Sequence, residues 1–154
     1  MKITSSIEYA TRLMTTLARA YGQAPLPAER LAESDNGPSD DVSQILVKLR
    51  RAGLVNSHRG SSGGYALSRP PAEITLGQVV RAVDGDVFED VCEKYHGGAK
   101  DCRHQGGCSI SPVWARLGSL VTDYFESVTL AAILNQDPAK CGVAPEWLEK
   151  LAGR

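Results

Sequence analysis

The sequence lacks the features that would place the chain in or across a membrane. No apolar run among its 154 residues approaches the roughly 18 residues that a membrane-spanning helix needs. The N-terminus also lacks the charged, then apolar, then small-residue pattern of a secretory signal peptide. We therefore expect a cytoplasmic protein without a membrane partner.

Signatures of catalysis are missing as well. No nucleophile stands beside a paired base, no phosphate-binding loop accompanies a βαβ unit, and no acid/base pair is evident. Hydrophobic residues make up 42% and charged residues 23% of the chain, which is typical of one globular domain, with or without an appendage. The sequence thus predicts a folded protein that is not an enzyme.

Charge is nearly balanced overall but unevenly distributed. A net charge of −1 taken alone argues against a nucleic-acid binder. Residues 1–70, however, hold nine Lys/Arg against six Asp/Glu, and residues 42–72 hold no acidic residue at all. Such a basic stretch is typical of a nucleic-acid contact, although a solvated helix face beside a polar loop would produce the same pattern.

Hydrophobic periodicity predicts three helices in the first part of the chain. The second is expected at Ala28–Glu33, and the third has Ser39 as its N-cap and ends at Gly53. The positions predicted to face the core are Ile7, Ala10, Met14, Leu17, Ala18 and Tyr21 in the first helix, Leu31 in the second, and Val42, Ile45, Leu46 and Leu49 in the third.

A small β-ribbon and a fourth helix are predicted next. The strands Leu54–Ser57 and Tyr65–Ser68 flank a glycine-rich tip that suits a hairpin loop. Thr75 and Gln78 form a capping box at the start of a fourth helix, whose inward face is predicted to consist of Leu76, Val79, Val80 and Val83. Three helices followed by a ribbon predict a mainly α fold with a small β-ribbon, a winged helix-turn-helix domain.

In a winged helix-turn-helix domain the third helix enters the major groove of DNA. Gln44 on that helix can make a bidentate contact to adenine, and Arg59 on the ribbon tip can reach a minor groove. Lys48 and Arg51 are better suited to phosphates. The predicted DNA-binding residues are Ser39, Asp40, Ser43, Gln44, Lys48, Arg51, Arg59 and Gly60.

A long helix is predicted after residue 110, with Ser111 as its cap and Pro112 as its first residue. Apolar residues then recur at alternating spacings of three and four, which is a heptad seam. Two heptads alone do not distinguish packing within the chain from a homodimer, but a DNA reader of this size needs two half-sites, which favours the homodimer. The predicted dimer-interface residues are Trp114, Leu117, Val121, Tyr124 and Val128.

One glycine-rich segment of 17 residues, 92–108, contains three cysteines: Cys92, Cys102 and Cys108. Three thiolates can converge on one soft metal centre, and iron–sulfur clusters tolerate spacings without the CxxC knuckle of structural zinc. The spacing leaves three alternatives open: a cluster, a zinc site that uses His104, and free or oxidation-sensing thiols. The fourth ligand of a cluster could be His96, His104, Cys141 or a residue of a partner chain.

Several motifs together resemble the Rrf2 family of bacterial winged-helix transcriptional regulators. The resemblance covers about residues 1–134, and the tail beyond lies outside it. The segments that carry it are the start Met1–Ala10, the stretch Leu49–Val55, the ribbon Arg59–Leu67, the stretch Ile74–Val83 and the three-cysteine segment.

The resemblance implies a homodimer through the long helix and an iron–sulfur cluster, either 4Fe-4S or 2Fe-2S, held by the three cysteines. Ser111 stands where the branch of iron–sulfur cluster regulators has a histidine ligand. In the nitric-oxide-sensing branch the fourth ligand is a carboxylate near the other subunit's N-terminus, a position that Glu8 of the partner subunit occupies here. Arg12 stands where a redox-sensing branch has a histidine.

We therefore expect a homodimeric regulator whose affinity for a double-stranded DNA operator is switched by an iron–sulfur cluster that senses redox state, nitric oxide or iron status. The alternative is a cluster-free zinc- or thiol-based regulator of the same fold. The predicted organisation is a DNA-binding domain (1–83), a cysteine-rich cluster-binding loop (84–110), a dimerisation helix region (111–134) and a C-terminal tail (135–154).

Overall fold

The chain folds mainly into helices, with one two-stranded ribbon, in the computed structural model, which describes residues 3–35, 39–60, 63–86, 88 and 108–136. The expected mainly α winged-helix class is confirmed. Within those residues no helix has both the length and the hydropathy needed to cross a bilayer. The elements are α1 (Ser5–Arg19), α2 (Ala28–Asp35), α3 (Ser39–Arg51), β1 (Val55–His58), β2 (Gly64–Leu67), a 3₁₀ turn (Pro71–Glu73), α4 (Leu76–Asp84), α5 (Ser111–Ser127) and α6 (Leu130–Leu134).

Helix α1 lies at the centre of the fold and contacts α2, α3, α4, α6 and β2. Its N-cap is Thr4, whose hydroxyl oxygen accepts a hydrogen bond of 3.3 Å from the amide of Ile7. The expected apolar stripe is buried except for Tyr21, and Leu13 is buried in addition. The prediction for Tyr21 was wrong because α1 ends at Arg19, so the helical period no longer directs this side chain, which is 45% exposed.

The core of the described residues is entirely apolar, since no polar or charged side chain is buried among them. Burial of apolar surface is the dominant stabilising contribution in such a fold. The inward positions predicted for α2 and α3 are all buried, and in α4 only Leu76 of the expected face stays partly exposed. The buried hydrophobic residues after α3 are Leu54, Val55, Leu67, Ile74, Val79, Val80, Val83 and Leu130.

The end of α3 determines where the ribbon begins. Gly53 adopts a left-handed conformation (φ 71°) and donates its amide to Arg50 O, while the amide of Leu54 donates to Leu49 O, both at 3.0 Å. This pair of bonds is a Schellman motif. Because Leu54 closes the helix, strand pairing starts at Val55, one residue later than predicted, with Val55 opposite Leu67.

The connection between α1 and α2 adds an edge to the ribbon. Leu26 and Tyr65 exchange two backbone hydrogen bonds of 2.9 and 2.8 Å. Gly64 lies so close to the backbone of Leu26 and Pro27 that a Cβ at this position would overlap it. The ribbon is therefore paired with the α1–α2 connection through the first residues of β2.

The start of the long helix differs from the prediction. Ser111 is the first residue of α5 rather than its cap, because the carbonyl of Ile110 accepts the first helical hydrogen bonds, from Val113 (2.9 Å) and Trp114 (3.2 Å). At the other end, Val128 has an extended backbone (ψ 111°), so this last position of the predicted seam lies one residue beyond the helix.

Helix α6 was not predicted as an element. Thr129 is its N-cap and accepts a hydrogen bond of 3.1 Å from the amide of Ala132. Leu130 is completely buried, and α6 contacts both α1 and the 3₁₀ turn. The sequence signal was present, since Ile133 and Leu134 follow Leu130 at spacings of three and four after a capping threonine.

Candidate functional site

Helix α3 exposes a polar face because its apolar side chains point into the core. Ser43, Gln44, Lys48 and Arg51 are all exposed on this outer face, as the periodicity predicted. Residues 39 and 40 lie in the first turn of α3, and their side chains fall outside the part that the structure describes.

The ribbon tip carries the other predicted DNA-binding residues. Arg59 and Gly60 are exposed, and Gly60 has φ 111°, a conformation that favours glycine. The guanidinium of Arg50 on α3 donates to Ser57 Oγ on β1 over 3.4 Å. The helix and the ribbon therefore lie side by side and form one continuous surface.

The charge of this surface follows directly from the sequence. Helix α3 beyond Asp41 and the whole ribbon come from residues 42–72, which contain no carboxylate side chain. His58 is exposed beside Arg59 and was not predicted; its place within the acid-free stretch was the available signal. Arg69 belongs to the same stretch but is used internally, since it donates to Glu73 O (3.3 Å) and to Gln78 Oε1 (2.8 Å).

Lys48 has an internal partner on α4. Its Nζ donates a hydrogen bond of 2.8 Å to the carbonyl oxygen of Val83, next to the last residue of that helix. A cation at this position is favourable because the C-terminal end of a helix carries partial negative charge. The bond joins α3 to the last turn of α4.

We expect Lys48→Met to act on stability more than on phosphate contacts. Losing the bond to Val83 should lower the free energy of unfolding by about 0.3–1 kcal/mol, measured by urea denaturation. The salt dependence of DNA binding should stay unchanged, whereas Arg51→Met, which removes an exposed charge from the same helix, should lower that slope by about 1. A comparable drop in slope for Lys48→Met would instead identify Lys48 as a phosphate contact.

Helix α5 presents an apolar face that the described part of the chain leaves partly exposed. None of its residues is buried, and Trp114, Leu117 and Tyr124 of the predicted seam are 39%, 41% and 39% exposed. Val121 is half-buried. The seam spacing did not reveal three further apolar residues that are exposed beside it, which are Ile110, Val113 and Leu120.

Of the predicted cluster ligands, the structure describes Cys108 and Glu8. Cys108 is a free, half-buried thiol three residues before α5, while Cys92 and Cys102 lie outside the described residues. Glu8 is exposed on α1, and its Oε1 accepts a hydrogen bond of 2.7 Å from Arg12 Nε. The described residues bring no three metal-binding side chains together.

The donors that are described nevertheless suit an iron–sulfur cluster. Cys108 supplies an accessible soft sulfur ligand, and the carboxylate of Glu8 can leave Arg12 at little cost because exposed ion pairs are weak. Phe88 precedes the cysteines in the sequence. Its ring lies so close to Gly118 of α5 that a Cβ at that position would overlap it. Phe88 therefore contacts α5, and Cys108 lies three residues before the same helix begins.

Comparison with known proteins agrees with this architecture. Residues 3–136 match the Rrf2 family, described as "Iron-dependent Transcriptional regulator". Over 137 residues the chain is 33% identical to the HTH-type transcriptional regulator IscR of Vibrio vulnificus (strain YJ016), covering 89% of this chain and 79% of that protein.

Solved structures show the same similarity. CymR, the global cysteine regulator of B. subtilis, has 27% identity and a TM-score of 0.69, covering 89% of this chain and 99% of that one. T. potens IscR has 26% identity and a TM-score of 0.71, covering 97% and 96%. The chain therefore belongs to the Rrf2 family, whose members are transcriptional regulators rather than enzymes.

Proposed function

We propose that the chain is a cytoplasmic, homodimeric transcriptional regulator whose affinity for a DNA operator changes with the state of an iron–sulfur cluster. The observation that carries the DNA-binding part is the joint surface of α3 and the ribbon, which is exposed, cationic and free of carboxylates beyond Asp41. Counterion release favours binding of such a surface to phosphates, and its polar side chains can read base edges.

In this proposal α3 lies in the major groove and the ribbon tip reaches the adjacent minor groove. Gln44 reads adenine, Arg51 neutralises phosphate, and Arg59 enters the minor groove. The remaining contacts come from Ser39, Asp40, Ser43 and Gly60, while Lys48 supports α3 through its bond to α4.

The homodimer forms through α5. Its exposed apolar face is unusual for a monomer, and a second copy of the same face would cover it in an isologous interface. Two DNA-binding surfaces would then lie at a separation set by the dimer, as the two half-sites of an operator require.

We further propose that Cys92, Cys102 and Cys108 hold the cluster, with Glu8 of the partner subunit as the fourth ligand. When bound, an iron–sulfur cluster supplies a redox-active centre that oxidants and nitric oxide degrade. Among three thiolates, a single carboxylate is the weakest ligand and the first to exchange, which suits a sensor. The division into the segments 1–83, 84–110, 111–134 and 135–154 belongs to the same proposal.

The switch follows from what these residues connect. While Glu8 is a ligand, α1 of one subunit is tied to the cysteine-rich segment of the other. Once Glu8 is released, that tie is lost and the two DNA-binding surfaces can adopt a different separation. The signal thus acts by stabilising one of two dimer arrangements over the other.

A cluster-free regulator that uses thiols or zinc is the second candidate. Cys108 is a free, half-buried thiol, and one structural relative is the oxidised form of Staphylococcus aureus CymR, 29% identical with a TM-score of 0.68. A thiol switch would leave the protein colourless, and its DNA binding would respond to peroxide.

The test is anaerobic purification followed by visible absorption, iron and sulfide analysis of wild type, Glu8→Ala and Arg12→Ala. We expect a brown wild type with comparable iron and sulfide, and a labile or bleached Glu8→Ala variant. Arg12→Ala is the matched control, because it breaks the same ion pair but keeps the carboxylate.

Two results would contradict the proposal. A colourless, iron-free wild type that resists reconstitution would exclude the cluster and leave zinc or redox thiols. Equal loss of colour in Glu8→Ala and Arg12→Ala would show that the ion pair, not ligation by Glu8, supports the cluster.

A further inference from the structure

The end of α5 is joined to the start of α4 by backbone pairing. The amide of Leu76 donates to Val128 O over 2.7 Å, and the amide of Leu130 donates to Ile74 O over 2.9 Å. Thr75 and Thr129 thereby form an isolated antiparallel bridge. This junction connects the helix with the exposed apolar face to the winged-helix domain.

The carboxylate of Glu126, one turn before that junction, lies over the first turn of α4. Its Oε2 accepts a hydrogen bond of 2.8 Å from Thr75 Oγ1, and its Oε1 forms an ion pair with the guanidinium of Arg81. Gly77 makes room for this arrangement, because a Cβ at that position would overlap the carboxylate. The partially positive N-terminus of α4 also favours an anion here.

Thr75 connects this carboxylate to the ribbon through the capping box of α4. Its hydroxyl oxygen accepts from the amide of Gln78, and its amide donates to Gln78 Oε1, both at 3.2 Å. The same Oε1 accepts from Arg69 at 2.8 Å, and Arg69 lies two residues beyond β2. A series of side-chain hydrogen bonds therefore connects Glu126 of α5, through Thr75 and Gln78, to Arg69 just after the ribbon.

The ion pair fixes the relative position of α4 and α5 more than it stabilises the fold. The side chains of Arg81 and Glu126 are 41% and 35% exposed, and pairs this exposed contribute little to the free energy of unfolding. The hydrogen bond from Arg81 lowers the pKa of Glu126, burial opposes this, and Thr75 adds to the lowering. The carboxylate is therefore ionised at neutral pH and can hold both partners.

We propose that Glu126 is a positioning residue that holds the winged-helix domain at a defined angle to α5. This role rests on the proposed function, and it affects which operators the dimer binds. If two copies pair through α5, the angle between α5 and each domain determines how far apart the two α3 helices lie. Glu126 then determines which half-site spacing the dimer prefers, without contacting DNA.

The test compares Glu126→Gln with Asp123→Asn, which neutralises an exposed carboxylate of α5 one turn earlier. The probe is a duplex of two half-sites enriched by the wild-type protein from a randomised pool, with and without one inserted base pair. We expect Glu126→Gln to reduce the discrimination between the two spacings by up to about fivefold, the most that one exposed ion pair usually supplies. Affinity for a single half-site and the oligomeric state should not change.

A second measurement needs no DNA. Hydrogen exchange of the Leu76 and Leu130 amides, which form the junction, should be faster in Glu126→Gln than in Asp123→Asn. Arg81→Met removes the other partner of the ion pair and should also reduce the spacing discrimination and speed the hydrogen exchange of these amides. It provides a second test if Glu126→Gln does not fold.

The outcomes separate the two proposals. Unchanged spacing discrimination in folded, dimeric Glu126→Gln and Arg81→Met would overturn the positioning role alone. A wild type that binds one half-site as well as two would overturn the proposed dimeric reader, and the positioning role with it.

Discussion

Replacing Leu117 with glutamate should convert the proposed homodimer into a monomer. Leu117 lies in the middle of the apolar face of α5, between Trp114 and Tyr124, and is 41% exposed in the single chain. In an isologous interface each copy would bring one buried, unpaired carboxylate against the other, which costs several kcal/mol. We expect the dissociation constant to rise by at least about 100-fold, as for substitution of a hot-spot residue.

Sedimentation velocity over a range of concentrations measures this effect. Ser119→Glu is the matched control, because it adds the same charge to an exposed position on the opposite face of α5. Circular dichroism of both variants should match wild type, since neither position is buried. A Leu117→Glu protein that stays dimeric would place the subunit contact somewhere other than this face.

DNA affinity should fall together with the dimer. In a dimer the second half-site is bound at a high effective concentration, and a monomer loses this advantage. The affinity of Leu117→Glu for a single half-site should equal that of wild type.

Replacing Arg59 with alanine should strongly weaken DNA binding without changing the iron content. Arg59 is exposed at the ribbon tip, directly before Gly60. Loss of one base-edge or minor-groove contact costs about 1–3 kcal/mol, which corresponds to about 5- to 150-fold in affinity. Fluorescence anisotropy with the selected duplex at fixed salt measures the change.

Two further variants show what Arg59 contributes. Arg19→Ala removes an equal charge from an exposed position in the last turn of α1, outside the acid-free stretch, and should leave affinity nearly unchanged. Arg59→Lys retains the charge but not the planar guanidinium. A DNA affinity between those of Arg59→Ala and wild type would indicate that the contact depends on the guanidinium geometry as well as on charge. Equal losses of DNA affinity in Arg19→Ala and Arg59→Ala would indicate a general effect of charge. They would contradict a specific contact between the ribbon tip and DNA.

Much of the winged-helix domain could be predicted because its signals are local. Gly53 and the capping box of Thr75 and Gln78 are short-range motifs, and the structure confirms both. The buried faces of α3 and α4 follow from the helical period. Where the period was extended beyond the end of a helix, as for Tyr21, the prediction failed because the end of a helix depends on turn residues and on neighbouring backbone.

The candidate site divides in the same way. The sequence revealed which side chains of α3 and the ribbon are polar and basic, since burial of the apolar positions determines the outer face. It also revealed the thiols of Cys92, Cys102 and Cys108 and a carboxylate at Glu8. It did not reveal that Glu8 pairs with Arg12 or that Lys48 is bonded to α4.

By itself the sequence determined the order of the elements, the acid-free stretch that becomes the exposed surface of α3 and the ribbon, and the cysteines available as ligands. Each of these depends on residues that are neighbours along the chain. Only the tertiary structure decided that Lys48 meets Val83 and that Glu126 meets Thr75, because these partners are 35 and 51 residues apart. It also decided that, among the described residues, the apolar face of α5 stays partly exposed, since burial depends on which surfaces the folded core has already covered.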